Sequence, residues 1–155
     1  MASNPDRDTH KTDARDQTHH PDEPIWVPRL AVEAVHHDQL VEHGGLQGIR
    51  DGNALKAVLA RPQQRRHYEP DTDLAALAAA YAFGIATGHP FADGNKRTAY
   101  VTAEVFLALN GYTVSWSDAE VVETMLAVAA KEMTEDELVS WFRTGLEALP
   151  PGEAE

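Results

Sequence analysis

The chain has 155 residues, 43% hydrophobic and 25% charged, with no cysteine and a formal net charge of −12. That length suits one domain with a real core, and the missing cysteine excludes disulfides, thiolate zinc sites and cysteine nucleophiles. Net acidity argues against direct nucleic-acid binding, which needs a positive face to neutralise phosphates.

Residues 1–24 contain no Leu, Ile, Val, Phe, Trp or Tyr. They cannot bury enough apolar surface to offset the entropy of ordering, so they read as a disordered tail. Its histidines (His10, His19, His20) are expected to be solvated. The folded domain is expected over 25–149, with a second short tail over 150–155. A first helix follows Pro28, its apolar face built from Leu30, Ala34 and Val41 with Ala31 and Val35, and Gly44-Gly45 stops it. Asp51 caps a short helix carrying Leu55, Val58 and Leu59, which Pro62 ends. Asp71 or Thr72 opens a third helix. It is apolar on nearly every side from Ala75 to Ala86 and is therefore central, and Gly88 closes it in a left-handed cap. A loop over 89–94 leads to a fourth helix, from about Asn95 to Asn110. Capping boxes at Ser117–Glu120 and Thr134–Glu137 start two more helices, about 118–131 and 135–147. The fold class is all-α, about six helices. No segment alternates over strand length except Tyr112 to Trp116. No run of about 18 apolar residues is present, so a cytoplasmic protein without membrane contact is expected.

The chemistry concentrates in His89-Pro90-Phe91-Ala92-Asp93-Gly94-Asn95-Lys96-Arg97. A helix N-terminus presents unpaired N–H groups and partial positive charge, a ready anion site. Gly94 lets backbone approach a phosphate, Asn95 can donate its amide, and Lys96 and Arg97 add two cations. Asp93 is a hard oxygen ligand of the kind Mg²⁺ takes alongside phosphate oxygens. His89 is the natural general base for a hydroxyl attacking phosphorus. Phe91, apolar between polar neighbours, is expected to anchor the loop in the core. Taken singly, each residue has a plainer reading: a histidine cap, an Asp-Gly turn, a solvated basic face. All five types at fixed offsets, between a glycine-ended helix and an apolar-periodic one, favour transfer of a phosphate-containing group.

Residues 89–97 resemble the signature of the Fic/Doc family, His-Pro-Phe-x-(Asp/Glu)-Gly-Asn-x-Arg, at every defined position. The resemblance extends from about Val27 to Gly145. Its further marks are His-Gly-Gly-Leu-x-Gly-Ile-Arg-Asp at 43–51, Leu59-Ala60-Arg61-Pro62, and 107–112. It implies a Fic-type helical fold, ATP and Mg²⁺, His89 as base, Asp93 as metal ligand, and Asn95, Lys96 and Arg97 on phosphates. Members that transfer AMP usually have glycine before the signature Arg and a second Arg three residues after it. Here those positions are Lys96 and Tyr100, which resembles the death-on-curing branch. That branch implies a toxin-type protein kinase passing the ATP γ-phosphate to a Ser or Thr hydroxyl. Its type of target is translation elongation factor Tu, so translation would be blocked, and a separate antitoxin would restrain the toxin. The inhibitory motif of AMP-transferring members, Ser/Thr-x-x-x-Glu-Gly/Asn, is not found in the chain. Two alternatives stay open: an AMP transferase, and a catalytically silent partner-binding module.

Overall fold

A computed structural model describes residues 23–152. The tail expected over 1–24 lies outside the described residues except for Glu23 and Pro24, and residues 153–155 of the C-terminal tail lie outside them too. The folded unit already includes Pro24, which is buried. Asn110 grips the next residue from both sides, accepting the Ile25 N–H at 2.8 Å and donating to its carbonyl at 3.0 Å.

The described residues form six helices and two short strands. In chain order these are α1 (Arg29–His43), α2 (Gly52–Tyr68), α3 (Leu74–Gly88), α4 (Asn95–Leu109), β1 (Tyr112–Val114), α5 (Asp118–Ala129), α6 (Glu135–Gly145) and β2 (Leu146–Ala148). The all-α expectation holds, with one addition: β1 and β2 pair antiparallel, Tyr112 opposite Ala148 and Val114 opposite Leu146. Both capping boxes form, Ser117 with Glu120 and Thr134 with Glu137.

α3 is the centre of the domain, as its composition predicts. It is buried without a break from Ala75 to Ala82, and α2, α4, α5 and α6 all pack against it. Alanines at these positions let neighbouring backbones approach closely while still removing apolar surface from water. α1 packs on α4 instead.

Three local expectations are corrected. Asp73, rather than Asp71 or Thr72, caps α3 by accepting the Ala76 N–H at 2.9 Å. The same carboxylate takes Arg143 of α6 at 2.9 Å, a tertiary partner that selects Asp73 among three competent neighbours. Pro62 does not end α2, which runs on to Tyr68 with the proline buried inside it. A proline costs one backbone hydrogen bond, but Arg61 and Arg65 flank it and both reach Glu135 of α6, tying the distal turns to the body. The third correction concerns α1, whose buried stripe is Val32, His36 and Leu40. Leu30 and Val41, placed in the core by the sequence pattern, are 79% and 74% exposed.

An ionisable pair sits between α4 and the start of α5. Burial, and then the nearby Asp118 carboxylate, raise the Glu104 pKa above its ordinary range, while the Tyr100 hydroxyl donated to it works the other way. A carboxyl group whose folded pKa is raised contributes stability fully present below its unfolded pKa. That contribution is lost as pH rises through the folded value. Glu104→Gln, which copies the protonated form and can still accept from Tyr100, should therefore raise Tm by a few degrees near neutral pH. The gain should vanish by about pH 4, as thermal melts across that range would report.

Candidate active site

The site is built where α3 hands the chain to α4. α3 ends at Gly88, but the left-handed residue expected there is His89, with φ 47° and ψ 55°. A side-chain-bearing residue in that conformation costs roughly 1–2 kcal/mol, so the surroundings must hold it. They do so through the His89 N–H on the Ile85 carbonyl at 3.2 Å. Arg50 adds its guanidinium, Nε on the His89 carbonyl at 2.6 Å and Nη2 on the Gly88 carbonyl at 3.1 Å. These two carbonyls belong to the negative end of α3, where a cation is favoured.

The loop is next stitched to the segment before α2. Pro90 accepts the Arg50 and Asp51 N–H groups at 2.8 and 3.1 Å, Ala92 donates to the Gly48 carbonyl at 3.0 Å, and Ile49 bridges Phe91. Phe91 is 1% exposed and is the anchor the sequence predicts. Its ring lies on that of His36, with centroids 3.9 Å apart and planes within 10°. His36 in turn places Nε2 at 2.9 Å from the Asp93 carbonyl. A carbonyl only accepts, so the hydrogen sits on Nε2.

Asp93 faces the turn after α1. Its Oδ2 accepts the Leu46 N–H at 3.2 Å and its Oδ1 the Gly94 N–H at 2.9 Å. The turn can come this close because residue 45 is glycine; a Cβ there would lie 2.9 Å from Oδ2. The Leu46 and then the Gly94 N–H, with the charges of Arg97 and Lys96 beyond them, hold the Asp93 pKa below its usual value. The carboxylate therefore remains ionised throughout the neutral range.

Gly94, at φ 74°, caps α4 in the left-handed conformation that glycine adopts at no steric cost. The helix start lies at an open cleft of about 270 Å³ lined by His89, Ala92, Asp93, Gly94, Asn95, Lys96 and Arg97. The structure thus brings together every polar residue the sequence singled out. Asn95 has a different first task from the phosphate contact expected of it. Its Oδ1 accepts the Phe91 N–H and its Nδ2 donates to the Phe91 carbonyl, both at 3.0 Å, so the amide braces the loop. Tyr100 is 8% exposed, stacked near Phe142 and away from the cleft. His36, Leu46 and Arg50 also shape the site without belonging to the signature. The sequence hint for His36 was its i±4 spacing from Val32 and Leu40, one of two apolar faces written on the same helix.

Among the described residues no group of three or more His, Asp or Glu side chains could cage a metal alone. A single ionised carboxylate beside an anion site instead fits Mg²⁺ carried in by phosphate oxygens and water, its usual mode with nucleotides. A larger groove of about 410 Å³, lined by Glu23, Arg66, Thr72, Asp73 and Asn110 among others, has no histidine and a single cation in its lining. No helix among the described residues is long and apolar enough to cross a membrane.

Comparison with known proteins agrees with this geometry. The family model described as "Fic/DOC family" matches residues 26–107, just over half the chain. "Protein kinase doc" of Escherichia phage P1 is 34% identical over 110 residues, covering 71% of this chain and 86% of that protein. "Toxin Doc" of Mycolicibacterium smegmatis is 39% identical over 72 residues, covering 46% of this chain and 55% of that protein. A signature loop wedged between α3 and α4, a matching family model and two Doc relatives lead to one conclusion: the chain belongs to the Fic/DOC family, on its Doc-type branch.

Proposed function

We propose that this protein is a Doc-type toxin kinase, transferring the γ-phosphate of ATP to a Ser or Thr hydroxyl of a translation factor of the elongation factor Tu type. The observation that carries the reading is the cation arrangement of the cleft. Lys96 and Arg97 line it, while position 100, where AMP-transferring members usually place a second arginine, is a tyrosine buried against α6. Two adjacent cations at the mouth of α4 favour the terminal phosphates there, leaving the γ-phosphate nearest His89. His89 takes the proton of the attacking hydroxyl as the new P–O bond forms and the bond to the ADP oxygen breaks. Arg97 and Lys96 offset the charge on the phosphate oxygens. Mg²⁺, held by Asp93, would supply further neutralisation of that charge.

The kinase name of the phage relative supports phosphate transfer, and the toxin name of the second supports a cognate antitoxin as partner. Leu30 and Val41 of α1 are exposed, and so is Leu46, whose N–H bonds the Asp93 carboxylate. An antitoxin segment seated there would cover apolar surface and reach the cleft together. An elongation factor target implies action in the cytoplasm.

ATP labelled at either the γ- or the α-phosphate, incubated with the protein, Mg²⁺ and purified elongation factor Tu, separates the alternatives. Only γ-label should appear on the factor. Label from the α-phosphate would identify an AMP transferase, and absence of both with no Mg·ATP binding would identify a silent binding module.

A further inference from the structure

Two side chains outside the signature hold the two chemically distinct ends of the catalytic loop. At the base end, the Arg50 guanidinium spans the Gly88 and His89 carbonyls at 3.1 and 2.6 Å. His89 is the left-handed residue of that turn, so a rotation of its peptide would swing the imidazole out of position. At the metal end, buried His36 donates to the Asp93 carbonyl at 2.9 Å and stacks on Phe91. It also packs beneath Gly94, with its ring 3.8 Å from where a Cβ there would sit. The Asp93–Gly94 peptide governs both the direction of the Asp93 carboxylate and the start of the anion-binding turn.

We infer that Arg50 and His36 are positioning residues with separate duties: Arg50 sets the presentation of the His89 base, and His36 sets the Mg·ATP-binding geometry of Asp93 and Gly94. The inference deepens the kinase reading and rests on it for the part concerned with transfer. Neither side chain would touch the nucleotide. Both act through backbone carbonyls, Arg50 through those of Gly88 and His89 before the Phe91 anchor and His36 through that of Asp93 after it, so the two ends of the loop respond separately. Partners that orient a metal ligand typically affect metal affinity 10–100-fold, and small misplacements of a reacting group cost comparable factors in rate.

The test measures Mg·ATP binding by isothermal titration and transfer kinetics with the full chain, after thermal melts establish that each variant folds. His36→Phe keeps the stacking ring and loses the donor; it should weaken Mg·ATP binding on the order of tenfold, and His36→Gln should recover part of that loss. Arg50→Ala should leave Mg·ATP binding within about twofold and lower kcat on the order of tenfold, with partial recovery in Arg50→Lys. In nitrogen-15 histidine-labelled protein, the His89 ring signals, assigned by their loss in His89→Ala, should shift or broaden in Arg50→Ala. That signature and the titrations are independent of turnover. If wild-type protein binds Mg·ATP but transfers nothing, the kinase reading fails while these two measurements still decide the positioning roles. Wild-type binding by His36→Phe, or unchanged His89 signals in Arg50→Ala, would overturn the corresponding half. Equal losses in the same parameter from both variants would overturn the division of duties.

Discussion

His89→Ala should lower phosphate transfer by about 10²–10⁴-fold, the usual contribution of a positioned general base, while Tm stays near that of the wild type. The imidazole is exposed at the rim of the cleft, and the elements around it are held by backbone groups that alanine retains. Alanine in the left-handed conformation keeps a similar strain, so the substitution isolates the ring from the turn. The decisive comparison is kcat against Mg·ATP affinity. The affinity should be preserved, because Asp93, Lys96 and Arg97 are untouched. Transfer at wild-type rates would remove the base assignment.

Phe91→Ala should destabilise the fold by about 3–5 kcal/mol, as deletion of a fully buried aromatic ring does. That is a large share of the roughly 5–15 kcal/mol available to a domain of ordinary stability. The loss reaches beyond the cavity. Phe91 is the ring on which His36 stacks, and its backbone is the partner of both ends of the Asn95 amide. The folded fraction should therefore also bind Mg·ATP more weakly. Phe91→Leu keeps most of the apolar volume and should lie between the two, by urea denaturation and by titration. Undiminished nucleotide binding in folded Phe91→Ala would mean that the loop holds its shape without its anchor.

The parts of this fold that depend on nearest neighbours were legible in the sequence. Ser117 with Glu120 and Thr134 with Glu137 satisfy backbone donors three residues away, and both helices begin where those pairs put them. The alanine run of α3 allows burial on all sides and nothing else. Where a tertiary partner decides, the sequence was ambiguous. Asp71, Thr72 and Asp73 can all cap a helix, and Arg143, distant in the chain, selects the third. α1 carries two apolar faces; the histidine in one of them finds a ring and a carbonyl across the core, so the face holding Leu30 and Val41 is left outside. The site was readable as a set of residue types at fixed offsets. Its internal division of labour was not, because Asn95 spends its amide on Phe91, and Arg50 and His36 reach the loop across sequence separations of 39 and 57.

Intact-mass spectrometry of the target tests most directly the proposed delivery of a γ-phosphate from this cleft to a protein hydroxyl. Purified elongation factor Tu, treated with the protein, Mg²⁺ and ATP, should gain the mass of one phosphate, and should gain none when His89→Ala replaces the wild type. A gain of one AMP in place of phosphate, or a phosphate gain that survives His89→Ala, would contradict it.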